Sequence, residues 1–367
     1  MPGEPSLFSA ADYTFMAEAI RLAEKGLYTT SPNPRVGCVI VKNHQIIGRG
    51  WHEKAGQPHA EINALKQAAS EVKGSTVYVT LEPCCHYGRT PPCTDTLINA
   101  GIAKLVIAAQ DPNPRVAGKG IKQLKAAGIE VQYGLLEAQA NQLNIGFVSR
   151  MTRQRPWITV KIASSLDGKI ALANGKSQWI TGEAARTDVH RLRARSCAIL
   201  TGINTVKQDD PELSVRYIQT TRQPLRVILD NRLEIATNAK VLQKPGSLIF
   251  TTLQDNQKID SLSEKGAQAI VLPSPTGKLN LVEVMSTLAE LEINELFVEA
   301  GSTLNGALIE SRLVDEIIIY CAPIVLGNHA QSMLNLPELA SLSQKWQLEI
   351  KEIGKVGSDI KITAKLI

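Results

Sequence analysis

Aromatic residues are scarce in this chain, 4% of 367 residues, so a platform of stacked rings tracking a single-stranded nucleic acid has too few members to be built. Charge of one sign is equally short: 40 Lys and Arg stand against 35 Asp and Glu, a formal +5, with no basic arm and no acidic tail. That balance suits anionic small molecules better than a polyanion. Nowhere do about 18 apolar residues run uninterrupted, as a membrane span requires. The start MPGEPSLFSAADY has no basic stretch followed by an apolar run, so no secretory leader is read there. The expectation is a soluble, cytoplasmic protein. No low-complexity tract interrupts a composition of 44% hydrophobic and 20% charged residues, which is that of a globular chain. The length predicts two domains.

Cysteine is limited to six residues, Cys38, Cys84, Cys85, Cys93, Cys197 and Cys321. They are too unevenly spread for a disulfide framework, and the three that fall within ten residues point to metal or catalysis. Cys38, Cys197 and Cys321 are expected as inert core thiols.

The chain reads as alternating helices and strands. Apolar positions recur at helical spacing from Tyr13 to Lys25, with Gly26 as a stop. After the loop SPNPRVG, the strands VGCVIV and IIGRGWH form a hairpin around KNHQ. Helix HAEINALKQAA, strand STVYVTLEP, helix TDTLINAG and strand KLVIAAQDPNP follow, and the pair GIKQLKAAG and IEVQYG closes a layered α/β domain. A polar helical segment from Glu137 to Arg155 ends at Pro156, and the domain boundary is placed near residue 150, giving domains of 1–150 and 151–367. Beyond it come a strand over WITVKIASSLDGKIA, a helix over TGEAARTDVHRLRARS and the strands CAILTG, LRVILD, SLIFTT, AQAIVL and ELFVEAG. Helix LNGALIESRL and strand EIIIYCAPIVL complete the pattern. Strands alternating with helices predict a largely parallel sheet with ligands at the carboxyl ends of its strands.

Residues 58–61 are PHAE and residues 82–93 are EPCCHYGRTPPC. Together they resemble the zinc deaminase signature, in which a His and two Cys hold zinc and a Glu that is not a ligand moves protons. His59, Cys84 and Cys93 are the expected ligands. Three protein ligands leave the fourth position for water, whose pKa the metal lowers to about 7. Glu61, two residues from His59 at a helix start, is the expected proton shuttle. The commonest pattern separates its cysteines by two residues, whereas eight lie between Cys84 and Cys93. Cys84 is preferred over Cys85 because it directly follows Pro83, as in the signature.

The loops CHYGRTPPC, SPNPRVG and QDPNPRVAG carry a more specific resemblance, to the bifunctional deaminase/reductase of riboflavin biosynthesis. It spans nearly the whole chain. It implies a cytidine-deaminase-like three-layer α/β/α domain followed by a dihydrofolate-reductase-like α/β domain. The first would remove the 2-amino group of 2,5-diamino-6-(5-phosphoribosylamino)pyrimidin-4(3H)-one. The second would use NADPH to reduce the ribosyl side chain of 5-amino-6-(5-phosphoribosylamino)uracil to ribityl. By that similarity Asn33, His52, Arg89, Asp111 and Asn113 line the deaminase pocket, with Arg89 near the phosphate. Asn33 and Asn113 also sit in Asn-Pro steps, which form turns in their own right.

For the reductase, no GxGxxG fingerprint occurs. Strand ELFVEAG instead leads through Gly301, Ser302, Thr303, Leu304 and Asn305 into Gly306 and Ala307, and free N–H groups at a helix start attract a pyrophosphate. No Lys-Ser or Lys-Thr follows Gly306, which argues against a P-loop hydrolase. The resemblance adds Ala163, Trp179, Thr205, Asp209 and Asn231 near NADPH. It also makes Ser177, Arg193, Leu213, Arg216 and Glu299 substrate contacts, the two arginines suiting a ribose phosphate. Lys161 carries a charge inside an apolar strand and is read as functional. Lys161, Asp209 and Glu299 are candidates for proton handling, unranked by sequence.

Two rivals remain. A nucleic-acid base deaminase with an appended binding domain is disfavoured by the few aromatics and the missing basic arm. A structural zinc site would need a fourth protein ligand, Cys85 or His86. The expected partners are therefore small pyrimidine ribose phosphates, without nucleic acid or membrane, and the family suggests a homo-oligomer.

Overall fold

A computed structural model describes residues 7–87, 91–114 and 116–367. The chain divides into two compact units, Met1–Gln154 and Arg155–Ile367.

The first unit opens with α1 (Ala10–Glu24), started by a capping box in which Ser9 and Asp12 exchange hydrogen bonds. The hairpin β1 (Gly37–Lys42) and β2 (Gln45–Trp51) leads to α2 (Ala60–Ala68), β3 (Thr76–Leu81), α3 (Cys93–Asn99), β4 (Lys104–Ala109), α4 (Lys119–Ala126) and β5 (Glu130–Tyr133). The sheet order is β2-β1-β3-β4-β5. Pairing is antiparallel in the hairpin and between β1 and β3, and parallel from β3 to β5. Alternation along the strands makes two buried faces. Cys38, Ile40, Val77, Val79, Leu105 and Ile107 pack under α2, α3 and α4. Val39, Val41, Tyr78 and Val106 pack under α1 and the closing helices α5 (Glu137–Leu143) and α6 (Ile145–Arg153). Three layers result.

The single polar helix read from Glu137 to Arg155 is thus two, and Asn144 explains the break. Its side chain accepts from Arg35 N and donates to Arg35 O, both at 2.8 Å, extending the backbone of the 33–36 loop as a strand partner would. Residue 150 lies within α6.

The second unit contains β6 (Trp157–Ser165), β7 (Lys169–Ala171), α7 (Glu183–Arg195), β8 (Ala198–Gly202), α8 (Ile203–Asp209), β9 (Leu225–Leu229), β10 (Ser247–Thr251), α9 (Asn256–Ser263), β11 (Ala267–Val271), α10 (Leu281–Glu290), β12 (Glu295–Glu299), α11 (Ser302–Glu310), β13 (Glu316–Ala322), β14 (Gln331–Ser332), β15 (Leu348–Val356) and β16 (Asp359–Leu366). Its nine-stranded sheet has the order β11-β10-β9-β8-β12-β6-β13-β16-β15. All pairs are parallel except those made by β16. At its start, Arg155 grips Asp315 with two bonds of 2.7 and 2.8 Å, and Asp315 also accepts from Ile158 N.

WITVKIASSLDGKIA is not one strand. Gly168, at φ 72°, turns the chain between β6 and β7, and Lys169 N is taken by Ser165 Oγ. The loop INTVKQDDP contains a helix, α8, which buries only Val206 and is rich in β-branched residues of weak helix propensity. Cys38 and Cys197 are buried as expected, but Cys321 is partly exposed. Among the described residues no helix is long and apolar enough to cross a membrane.

Candidate active sites

In the first unit β2 and α2 approach unusually closely. A Cβ at Gly50 would lie 2.2 Å from Ala60 O, so only glycine lets the first turn of α2 settle against the strand. His59 is the N-cap of α2, and with extended backbone and no capping hydrogen bond its ring is left for other partners. His59 Nδ1 lies 3.3 Å from Cys93 Sγ and 3.6 Å from Cys84 Sγ. Zinc bonds of ~2.0 Å to nitrogen and ~2.3 Å to sulfur in a tetrahedron imply N to S edges of about 3.5 Å. The donor set therefore fits zinc in chemistry and in spacing. His59, Cys84 and Cys93 form the one such cluster found among the described residues, and neither Cys85 nor His86 belongs to it. Cys93 starts α3, and its backbone N donates to Cys84 Sγ at 3.3 Å, so the helix end itself orders the two sulfurs. The Cys93 hydrogen bond, aided by His59, pulls the Cys84 thiol well below its usual range.

Glu61, in the first turn of α2, is 3% exposed, and burial raises its carboxyl above the ordinary range. His52, also buried, stands edge-on to His59 with ring centroids 5.5 Å apart. Its Nδ1 donates to Pro58 O at 3.2 Å, which leaves Nε2 to accept from the Asn33 amide at 3.1 Å. Asn33 and His52 are thus joined beside the cluster. Asp111 accepts from Asn113 N at 2.8 Å, and burial pushes its carboxyl up to about 6. Arg89 lies outside the described residues.

Sequence reasoning missed Glu82. It is 3% exposed, and its carboxylate takes three backbone N–H groups: Gly118 at 2.9 Å, Ile121 at 3.2 Å and Asp111 at 3.3 Å. It thereby ties the loop bearing Asp111 and Asn113 to the segment bearing Cys84. The EPC tripeptide was the available signal.

In the second unit a cleft of about 740 Å³ opens at the carboxyl ends of β6, β8 and β12, where the strand order reverses. Lys161, Ala163, Ser177, Trp179, Arg193, Thr205, Asp209, Leu213, Arg216, Glu299 and Gly301 line it. At its floor Glu299 takes Arg193 Nε at 2.5 Å and Nη2 at 3.0 Å, with Lys161 Nζ at 3.5 Å. Burial opposes the Glu299 charge, but Arg193 and Lys161 outweigh it and hold the carboxyl at about 2. Burial instead raises the carboxyl of Asp209, which accepts from Ser177 Oγ at 3.3 Å. At the rim Trp179 is 69% exposed with the Arg186 guanidinium 4.8 Å over its ring.

The remaining expected cofactor residues do not line the cleft. Asn231 fastens loops: its Oδ1 accepts from Leu279 N and its carbonyl from Thr252. Of the run after β12, Gly301 meets open space and Ser302 and Thr303 begin α11, while Leu304 packs into the core. Gly306 is needed for packing, since a Cβ there would lie 1.9 Å from Asn335 O. Ala307 follows it inside the helix. Asn305 donates to Ala300 O, while its buried Oδ1 has no partner among the described residues. Open space at Gly301, the unmatched Asn305 oxygen and the free N–H groups of α11 fit a dinucleotide at this turn. His190 and Arg186 also line the cleft, and both were missed. The signal was their helical spacing with Arg193.

Residues 9–109 match the zinc-binding region of cytidine and deoxycytidylate deaminases, and residues 156–362 match the RibD C-terminal domain. The chain is 46% identical to the riboflavin biosynthesis protein RibD of Escherichia coli, over 95% of this chain and 98% of that one. It is 47% identical to the protein of the same name from Haemophilus influenzae, over 97% and 98%. A solved structure of Acinetobacter baumannii RibD, form 1, superposes with a TM-score of 0.92 at 43% identity, covering 97% of this chain and 99% of that one. The diaminohydroxyphosphoribosylaminopyrimidine deaminase/5-amino-6-(5-phosphoribosylamino)uracil reductase of Thermotoga maritima does so at 0.86 and 32%, with the same coverage. The chain belongs to the RibD family, the bifunctional zinc-dependent deaminases and NADPH-dependent reductases of riboflavin biosynthesis.

Proposed function

We propose that the first unit deaminates 2,5-diamino-6-(5-phosphoribosylamino)pyrimidin-4(3H)-one at its 2-amino group. The second then reduces the ribosyl side chain of 5-amino-6-(5-phosphoribosylamino)uracil to ribityl. The observation that carries the reading is the convergence of His59, Cys84 and Cys93 beside buried Glu61, in a chain whose other unit holds a cleft lined by Lys161, Arg193 and Arg216. When bound, zinc supplies a Lewis acid that makes hydroxide available at neutral pH. Glu61, its carboxyl raised by burial, is suited to take a proton at its carboxylate oxygen and to hand it to the departing amine. Asn33, His52, Asp111 and Asn113 orient the pyrimidine, and Arg89 is assigned to its phosphate.

In the reductase NADPH supplies hydride when bound. The residues of the cleft hold the sugar C1 within reach and manage the proton. Lys161 pairs with Glu299, and Asp209 with Ser177 lines the same cleft. The modest charge and few aromatics support small-molecule partners over nucleic acid or membrane, and the family supports a homo-oligomer in the cytoplasm.

The test is to incubate the zinc-loaded protein with the diaminopyrimidine phosphate, with and without NADPH. Ammonia is expected in both cases and NADPH oxidation only after deamination. No ammonia would overturn the first assignment, and ammonia without NADPH oxidation the second.

A further inference from the structure

α7 turns one face into the reductase cleft, because Arg186, His190 and Arg193 recur at helical spacing and all line it. His190 is 4% exposed, and the backbone N–H of Arg216 donates to its Nδ1 at 3.0 Å. A nitrogen that accepts carries no proton, so the neutral ring has its hydrogen on Nε2. Tyr217 closes edge-on against the imidazole at 4.5 Å. Burial, with the charges of Arg193 and Arg216, pushes the imidazole down to about 4 although Glu299 opposes them. The acceptor therefore persists through the neutral range.

The loop that receives this bond is strained. Asp210 and Leu213 both adopt the left-handed region, at φ 42° and 48°, where a residue other than glycine is disfavoured by ~1 kcal/mol or more. It is fastened at consecutive residues: Arg193 Nη1 donates to Ser214 O at 3.0 Å, Gln223 brackets Val215 at 2.8 and 3.1 Å, and His190 holds Arg216. Of the three arginines that line the cleft, Arg193 and Arg216 then differ in kind. The charge of Arg193 is met by Glu299 through two bonds. The side chain of Arg216 is partnered only by Glu212 and Ser214 Oγ, each at 3.2 Å, among the described residues. Its side chain and that of Glu212 are 44% and 40% exposed, and a pair so exposed is weak enough for a phosphate dianion to displace.

We propose that His190 is a positioning residue of the reductase, whose Nδ1 fixes the backbone of Arg216 and so aims that guanidinium at the phosphate of the substrate. The inference rests on the reading of this cleft as a ribose phosphate site. Two measurements on the full chain test it: binding of ribose 5-phosphate by calorimetry without NADPH, and steady-state reduction of the deaminated substrate. In His190→Leu the ribose 5-phosphate Kd and the reductase KM each rise about tenfold, the scale of one lost hydrogen bond, with kcat kept within about twofold. His190→Asn, whose amide oxygen takes the place of Nδ1, restores both constants. The KM of the substrate lacking its phosphate does not move. Ammonia release by the other unit stays at the wild-type rate and reports that the chain is folded.

Should His190→Leu not fold, the nitrogen NMR spectrum of the wild-type histidines decides with the Asn variant. A protonated Nδ1 at His190, or a KM raised about tenfold in His190→Asn, overturns the role. A wild-type chain that neither binds ribose 5-phosphate nor oxidises NADPH overturns the reading of the cleft itself. One that does both while His190→Leu matches it overturns only the role of His190.

Discussion

Glu82 gives the sharpest test of how the deaminase pocket is held. Its carboxylate is buried and takes the N–H groups of Gly118, Asp111 and Ile121. Hydrogen bonds to a charged acceptor contribute about 1.5–3 kcal/mol each. In Glu82→Gln one oxygen can still serve Gly118 and Asp111, but the NH₂ then faces the Ile121 N–H, donor against donor. The expected cost is ~2–3 kcal/mol. Glu82→Ala strands every one of these donors and leaves a cavity, for about 4.5 kcal/mol or more. The variants should lower the urea midpoint of deaminase inactivation in that order. They should also raise the KM for the diaminopyrimidine about tenfold, because Asp111 and Asn113 ride on the loosened loop. Zinc content should stay at one ion per chain, since none of the ligand atoms bonds to Glu82, and reduction of the deaminated substrate should be untouched. Wild-type midpoint and KM in Glu82→Ala would refute the reasoning.

Two further outcomes follow from buried carboxylates. Glu61→Gln should keep its zinc but release ammonia some 10² to 10⁴ times more slowly, the usual weight of a general acid–base group; unimpaired release would favour a purely structural zinc. Glu299 is held at about 2 when folded against an ordinary 4.5, so its contribution is fully present above pH 4.5 and is lost as pH falls through 2. That gap corresponds to ~3 kcal/mol. Denaturant titration should find Glu299→Gln less stable than wild type by that order at pH 7 and by roughly half as much at pH 3. An equal difference at both pH values would contradict the pairing with Arg193 and Lys161.

The zinc cluster was legible because its chemistry fixes residue types, and because His59 and Cys93 each stand at a helix start. Of Cys84 and Cys85, it is Cys84 whose sulfur lies with His59 and Cys93. What the sequence could not show are contacts between distant segments. Arg193 and Glu299 were both named, yet their ion pair joins residues 106 apart, so two arginines were read as equivalent phosphate ligands. The run Gly301 to Ala307 was read as one cofactor loop. In the fold that run joins a loop glycine that lines the cleft, Gly301, to the first turns of α11, where Gly306 also serves the approach of Asn335. The hairpin of β15 and β16 escaped notice because β15 lies at the sheet edge and is exposed along most of its length, which removes the alternation that marks a half-buried strand.

The same physics separates Glu299 from Asp209 as candidate proton donors of the reductase. A group that supplies a proton during hydride transfer must hold one beforehand. Glu299 fails this condition near neutrality, because Arg193 and Lys161 keep it ionised. Asp209 is displaced the other way: burial raises its carboxyl against the opposing influence of Ser177 and Lys161. A bound cofactor and sugar exclude more water from the cleft and push it further in that direction. A carboxyl raised in this way donates below its pKa and stops as pH rises through it, so the wild-type kcat should fall along an alkaline limb. Asp209→Asn cannot donate, and its kcat should be about a hundredfold lower and flat across that limb. Ser177→Ala removes the hydrogen bond that favours the charged form and should shift the limb upward. A limb that survives in Asp209→Asn would assign the proton to Lys161 instead.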